Sequence, residues 1–275
     1  MIRTVRRHGV RYYVDEADYS VRRPSVTAIL DMLPRPFLAY WQARMVAELA
    51  VDSISMLPEM AERDRQGAID YLKGAARRYT KQRAEVGSTA HDLFERMIRG
   101  EQVGYLPVDM RPYERHFAHF LDRVQPELVR AEDVAWSDTH DYAGSFDAIL
   151  RVRLNDSGLP DPQGDVATVI ADWKTSKSIY TSVALQMSAY AHADYIISPD
   201  GTREPMPAVD GACVLHITPE SWSFAPVRID RDPIFATFLH LRRVFDWEHH
   251  HQQRVLSAPI AEGGSSLVTG TQRRS

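Results

Sequence analysis

The spacing of apolar and polar residues divides the chain into two textures. In residues 1–23 the segment Val10-Arg-Tyr-Tyr-Val14 is rich in strand formers and Asp15-Glu-Ala-Asp18 reads as a turn, which predicts a β-hairpin or two short strands. Ser25 then precedes Val26-Thr-Ala-Ile-Leu30, with Leu33 one turn on, a capped helix start closed by Pro34 and Pro36. From Phe37 to Val51 the period is helical, with Leu38, Trp41, Met45 and Leu49 on one face. Residues 58–84 continue as helix, and Gly87 is expected to break it. A new helix then runs from Thr89 to Arg99 and ends at Gly100, and another from Pro112 to Val129 is interrupted near Pro126.

Beyond residue 130 the texture changes. Glu132–Trp136, Gly144–Leu154 and Ala167–Trp173 alternate or run apolar as strands do, and the Gly-, Pro- and Asp-rich stretch 155–165 makes an exposed loop between the second and third of them. Ser182–Ile197 reads as a helix with Leu185, Ala189 and His192 on one side and Gln186 and Tyr190 on another. Val214–Thr218 and Trp222–Ile229 are two more strands, and Asp232–Arg254 is a final helix. Helices, three strands, a helix, two strands and a helix predict an α/β fold, a central mixed β-sheet flanked by helices. The expected organisation is an N-terminal hairpin and helical arm over 1–85, a core over 86–257, and a disordered Gly/Ser/Thr-rich tail over 258–275.

Composition narrows the classes. With 44% hydrophobic and 25% charged residues in 275, the chain supports a sizeable core without disulfides or a structural metal. The one cysteine, Cys213, excludes an internal disulfide and a four-thiolate zinc or iron–sulfur site, and suits a reducing compartment. The charged start Met-Ile-Arg-Thr-Val-Arg-Arg-His lacks an apolar run of signal type, and no stretch reaches the length of a spanning helix. The expectation is a soluble, cytoplasmic protein with no membrane partner. A net charge of −4 argues at first against a polyanion, but it averages over a strong asymmetry: Lys73, Arg77, Arg78, Lys81 and Arg83 form a positive run with no acid between them. Arg3, Arg6, Arg7, Arg11, Arg22 and Arg23 crowd the N-terminus.

The candidate chemistry centres on Ile170-Ala-Asp-Trp-Lys174. Period-two alternation puts Asp172 and Lys174 on one face of a strand. There a carboxylate suits a hard divalent cation, and an ammonium suits phosphate charge or an attacking water. Alone, Asp-x-Lys is most simply a surface salt bridge. Three other elements accompany it: Gly87-Ser-Thr-Ala-His91 at a helix start, Tyr142-Ala-Gly-Ser-Phe-Asp147 leading into a strand, and Gln186 with Tyr190 four apart on a helix. If Asp147 and Asp172 lie on adjacent antiparallel strands, their carboxylates converge on one cation.

In this order the four motifs resemble the PD-(D/E)XK nuclease superfamily, in particular the RecB-like exonucleases and phage-type relatives of the CRISPR-associated single-strand exonucleases. Pro24-Ser-Val-Thr-Ala-Ile-Leu30 through Trp41 also looks like the N-terminal region of such phage nucleases. The resemblance implies a restriction-endonuclease-like core binding Mg²⁺ or Mn²⁺. It implies metal ligation by His91, Asp147, Asp172 and the carbonyl of Trp173, with Lys174 as the catalytic lysine. Gln186 and Tyr190 would then support the water or the DNA. Glu132 stands where members of the family often carry an acid, with Asp133 and Asp138 as competitors. The four cysteines that hold an iron–sulfur cluster in many relatives are missing, so no cluster is expected. The 25 positions from Asp147 to Asp172 exceed a compact hairpin, an excess that loop 155–165 absorbs.

A metal-dependent DNA exonuclease serving phage-type recombination, replication or repair is therefore the leading expectation. A structure-specific endonuclease of the same fold, or a non-catalytic DNA-binding protein retaining it, are the alternatives. A His ligand biases the site toward Mn²⁺. The positive run at residues 73–83, with Tyr71 and Tyr79 available to stack on unpaired bases, and the N-terminal arginines are the two candidate DNA paths. A recombination or annealing protein is implied as a partner. No Gly-x-x-x-x-Gly-Lys loop is present for ATP. His249-His-His251 reads as the polar end of the last helix, and Trp222, Phe224, Phe235 and Phe238 as core.

Overall fold

A computed structural model describes residues 2–16, 18–261 and 263. Three antiparallel strands open the chain, β1 (Ile2–Arg7), β2 (Val10–Asp15) and β3 (Asp18–Pro24), one more than the expected hairpin, because Tyr19 to Arg23 continues the strand pattern past the turn. Ser25 caps α1 (Val26–Leu30): its hydroxyl accepts the amide of Ala28 at 3.1 Å. Then come α2 (Phe37–Asp52), α3 (Leu57–Arg63), α4 (Arg65–Lys73), α5 (Ala75–Ile98) and α6 (Arg111–Val124). The helical stretch expected over 58–84 is thus divided at Asp64, whose carboxylate caps α4 through Gly67 N at 2.8 Å, and again at Gly74.

The expected break at Gly87 does not exist. Helix α5 runs 24 residues straight through it, and from the arm into the core, so His91 lies deep inside a helix rather than in a first turn. A mid-helix glycine costs about 1 kcal/mol relative to alanine, which two dozen residues of continuous helix offset. Gly87 faces Thr175: a Cβ there would sit 3.4 Å from Thr175 Oγ1, in ordinary contact. Helix α6 ends at Gln125, which takes a left-handed φ of 49°, so the residues expected to extend it begin β4 (Glu127–Ala131) instead.

The remaining elements are β5 (Val134–Ser137), β6 (Tyr142–Ser145), β7 (Ala148–Leu154), β8 (Asp165–Lys174), α7 (Val183–Ala191), β9 (Tyr195–Ile197), β10 (Arg203–Pro205), β11 (Gly211–Ile217), β12 (Trp222–Val227) and α8 (Ala236–Asp246). The segment expected as one strand from Gly144 to Leu154 is split between two sheets, and the helix expected to reach Ile197 stops at Ala191. The β-favouring Tyr195-Ile-Ile197 pairs instead with β5 and β10. The last helix is regular only over α8 and is flanked by wider turns at 231–235 and 247–251. Of the expected tail, 258–261 and 263 carry no helix or strand, and the rest lies outside the described residues.

The central sheet has the order β12-β11-β8-β7-β4, with β8 and β11 parallel and the other neighbours antiparallel, so the expected mixed sheet is present. A second sheet, β10-β9-β5-β6, packs beside it. Alternation along β7 and β8 sends side chains to two cores. Ile149 and Ile170 face α1, α7 and α8, together with Phe235 and Phe238. Ala148, Leu150, Val169, Ala171 and Trp173 face α5 and α6, with Trp222 and Phe224 packed against that side. In the second core Phe117 stacks on Phe94 at 4.5 Å and meets Trp173 edge-on at 5.7 Å, which ties both helices to the end of β8. Phe117 is fully buried. Phe117→Ala should therefore cost about 3–5 kcal/mol of stability, read as a lowered urea midpoint with an unchanged m value. A loss under 1 kcal/mol would mean that this contact does not hold β8 in place.

Candidate active site

Strands β7 and β8 pair with Ala148 opposite Ala171. One step further along this antiparallel ladder Asp147 and Asp172 come side by side, the convergence that the sequence posed as a condition. Asp172 is 3% exposed. Lys174, two residues on and on the same face, puts Nζ 2.5 Å from Asp172 Oδ2. Trp173 between them points into the opposite core, and its backbone amide donates to Asp147 Oδ2 at 2.5 Å. That bond fixes the Asp147 carboxylate against the strand end.

Helix α7 crosses this face. Gln186 joins three groups: its amide nitrogen donates to Asp172 Oδ1 and to the Tyr190 hydroxyl, both at 3.1 Å, and its oxygen accepts from Lys174 Nζ at 3.4 Å. Tyr190 is 2% exposed. A ring so buried does not meet a DNA backbone, so the expected contact role gives way to a supporting one. Gly144 explains how the ring fits: a Cβ there would lie 2.6 Å from Tyr190 Cε1 and 3.0 Å from Val26 Cγ2. The glycine of the Gly-x-x-Asp motif is thus a packing requirement of the tyrosine of the last motif.

His91 arrives from α5. Its Nδ1 is 3.2 Å from Asp147 Oδ1. Burial works to lower the pKa of His91, but the hydrogen bond it donates to Asp147 and the charges of Asp147 and Asp172 outweigh it, and the net shift is upward. Asp172 is shifted up, first by burial and then by repulsion from Asp147, against the pull of Lys174. Glu132 belongs to the same cluster. Burial, then Asp147 and Glu95, push its carboxyl up to about 7, against His91 and Arg99. Its backbone φ is 59°, and its amide donates to the Asp147 carbonyl at 3.2 Å. The competing acids are used elsewhere: Asp133 lies 3.7 Å from Arg130, and Asp138 accepts from Trp136 Nε1 at 2.8 Å and pairs with Arg23 and Arg203. Glu95 and Arg99, bonded at 2.8 Å, are members of this charge network that no motif pointed to.

Three carboxyl groups and an imidazole thus share one partly dry corner, and two of the acids are pushed toward their neutral forms. Carboxylate oxygens and an imidazole nitrogen form a donor set that suits a divalent cation, and a cation there would offset the burial and the repulsion that raise Glu132 and Asp172. Among the described residues no three His, Cys, Asp or Glu side chains are already arranged as a cage. The nearest partners of the two aspartates are instead the Lys174 ammonium and the Trp173 amide.

The positive run on α4 and α5 is only partly free. Arg78 lies over the Tyr71 ring at 4.9 Å and donates to the Tyr71 carbonyl at 2.6 Å, and Lys81 is 3.7 Å from Glu85. Tyr71 is half-buried and bonded to Ser53 at 3.1 Å, so it offers no free face. Lys73 and Arg77 are exposed, and Arg83 reaches the carbonyl of Thr175 at 3.4 Å, one residue from Lys174. Of the N-terminal arginines, Arg3 pairs with Glu16 and Arg23 with Asp138 and Asp141, while Arg6 stands opposite Arg11 in the β1–β2 register. His249 packs on Phe245 at 4.3 Å, as the polar end of a helix does. No helix among the described residues is long and apolar enough to cross a membrane. No protein-family model matches this chain, and no curated protein matches it.

Two outcomes test this geometry. Gly144→Ala forces Tyr190 or Val26 aside and should lower stability by about 1–3 kcal/mol in chemical unfolding; a neutral effect would mean that the ring is not packed against residue 144. Glu132 holds its proton more tightly folded than unfolded, so in chelator the folded state should lose stability as pH rises from about 4.5 through about 7. Glu132→Gln should flatten that slope in urea melts at stepped pH, and an unchanged slope would place the proton elsewhere.

Proposed function

We propose that this chain is a divalent-metal-dependent deoxyribonuclease of the PD-(D/E)XK type, with a restriction-endonuclease-like core and exonuclease action in phage-type recombination, replication or repair. The observation that carries the reading is the convergence of His91, Asp147, Asp172, Lys174, Gln186 and Tyr190 from α5, the start of β7, the end of β8 and α7 on one corner, where His91 and the Trp173 amide hold Asp147 and the other four are bonded to one another. In such an enzyme Asp147, Asp172 and His91 hold Mg²⁺ or Mn²⁺. The ion supplies a water of lowered pKa and neutralises charge on the scissile phosphate.

The residues of the chain divide the remaining work. Asp172 and Gln186 hold the Lys174 ammonium at the mouth of the site, where its side chain keeps 29% exposure and can meet a phosphate oxygen or the attacking water. Gln186 is itself held by the buried Tyr190 hydroxyl. The Trp173 amide fixes one Asp147 oxygen and leaves the other toward His91. DNA and a recombination or annealing protein are the partners this reading implies.

Lys174→Ala tests it. With Mg²⁺ or Mn²⁺ the substitution should lower cleavage of linear DNA by about 10²-fold or more while DNA affinity stays within about threefold. Cleavage at the wild-type rate would sink the proposal, and cutting of closed circles by the wild type would turn it from an exonuclease to an endonuclease.

A further inference from the structure

Helix α2 breaks the usual rule for an amphipathic helix. Its apolar stripe, Leu38, Trp41, Met45 and Leu49, joins none of the hydrophobic cores among the described residues. It has no buried residue over 16 positions. Instead Leu38, Trp41 and Met45 of the stripe wall a groove of about 860 Å³ whose other sides are α5, through Tyr79, Thr80, Arg83 and Ala84, and the loop 175–180 that leaves β8. Aromatic rings line it in pairs: Phe37 stacks with Tyr180 at 6.0 Å, and Trp41 meets Tyr79 edge-on at 6.0 Å. Phe37, Tyr79 and Tyr180 stay 47%, 47% and 59% exposed, a costly display of aromatic surface unless something covers it.

The groove leads to the site. Thr80, Ala84, Gly87 and His91 follow at spacings of four, three and four on one face of α5, a path of about 16 Å at 1.5 Å per residue. One turn before His91 the helix passes Thr175, next to Lys174: a Cβ on Gly87 would lie 3.4 Å from Thr175 Oγ1. The charges along the groove favour a polyanion. Glu48 is neutralised by Arg44 at 2.6 Å, while Arg83 donates only to a carbonyl and Lys177 is exposed with no ion pair among the described residues.

We propose that this groove binds the end of a single DNA strand, its unpaired bases on the rings of Phe37, Trp41, Tyr79 and Tyr180 and its phosphates toward Arg83 and Lys177, and delivers it to Lys174. The inference rests on the nuclease reading and adds strand selection to it. In a duplex the base faces are covered by their neighbours and turned away from the protein. A ladder of aromatic faces therefore adds affinity only for unpaired bases, about 1–3 kcal/mol for each base stacked. The path accommodates about four stacked nucleotides at 3.4 Å each.

The test uses the full chain in chelator, with fluorescence anisotropy of a labelled twelve-nucleotide thymidine strand, the same length of duplex, and a deoxyribose-phosphate strand without bases. The single strand should bind at least tenfold tighter than either of the other two. Phe37→Ala/Tyr180→Ala removes two exposed rings that no core needs. It should weaken single-strand binding tenfold or more and leave the duplex within twofold, while Tyr180→Phe should keep wild-type affinity. Equal binding of the base-free strand, or no loss in the double variant, overturns the groove as a stacking site. So does a wild-type dimer in sedimentation that the double variant dissolves, because a second copy would then be the occupant. Cleavage is scored separately with Mg²⁺ or Mn²⁺. A wild type that stacks single strands but never cleaves upholds the groove and refutes the nuclease, whereas one that cleaves while the double variant binds normally does the reverse.

Discussion

Two carboxylates cannot share a dry corner of a protein without compensation, and the placement of Asp147 beside Asp172 imposes that problem on everything around it. The register of β7 on β8 creates the juxtaposition, with Ala148 against Ala171 leaving the two acids as the next opposed pair. Each neighbouring element then supplies a countermeasure. Strand β8 contributes Lys174 and the Trp173 amide, α7 contributes Gln186, and α5 contributes His91. The compensation is incomplete, since Asp172 and Glu132 still sit above their ordinary values. Burial is the larger cause of both shifts and the charge of Asp147 the next, a combination of the kind used where a protein tunes acids for chemistry.

The supporting architecture serves this point. Trp173 has no part in the chemistry through its side chain, yet its indole, clamped by Phe117 and Phe120, anchors the residue whose amide holds Asp147 and whose neighbours are Asp172 and Lys174. Gly144 and Tyr190 are likewise one device: the absent side chain of the first makes room for the ring of the second, and the hydroxyl of that ring holds Gln186. Motifs that look like separate signatures along the chain are therefore packing partners in space.

What the sequence made legible follows from the range of the interactions involved. Period-two alternation located Asp172 and Lys174 on one face, and the four-residue spacing of Gln186 and Tyr190 put them on one helical face. Both are local rules that long-range contacts did not override. The errors arose where a local signal competed with a distant one. Gly87 reads as a helix breaker, but helix α5 continues through it and brings it to contact range of Thr175, 88 positions away. The Gly144–Leu154 run reads as one strand, but its halves are claimed by different sheets. Glu132 could not be chosen over Asp133 and Asp138 from order alone. Only the pairing of those two with arginines in the fold separates them.

The apolar stripe of α2 carries the same lesson in the opposite direction. Helical periodicity correctly located the helix, and the usual inference from such a stripe is burial in a core. Here the stripe faces a groove instead, and the physical reason lies in what the helix is attached to. Pro34 and Pro36 separate α1 from α2, and the helices on which α2 chiefly packs are α4 and α5. An arm held this way has no sheet face to cover. Its apolar surface and the loop after Lys174 are left on two sides of the groove, and of the cations that line it Arg44 pairs with Glu48 while Arg83 and Lys177 have no ion pair among the described residues. The asymmetry hidden in a net charge of −4 is thus spatial: acids gather where β7 begins and β8 ends, and cations without an ion pair among the described residues stand along the groove.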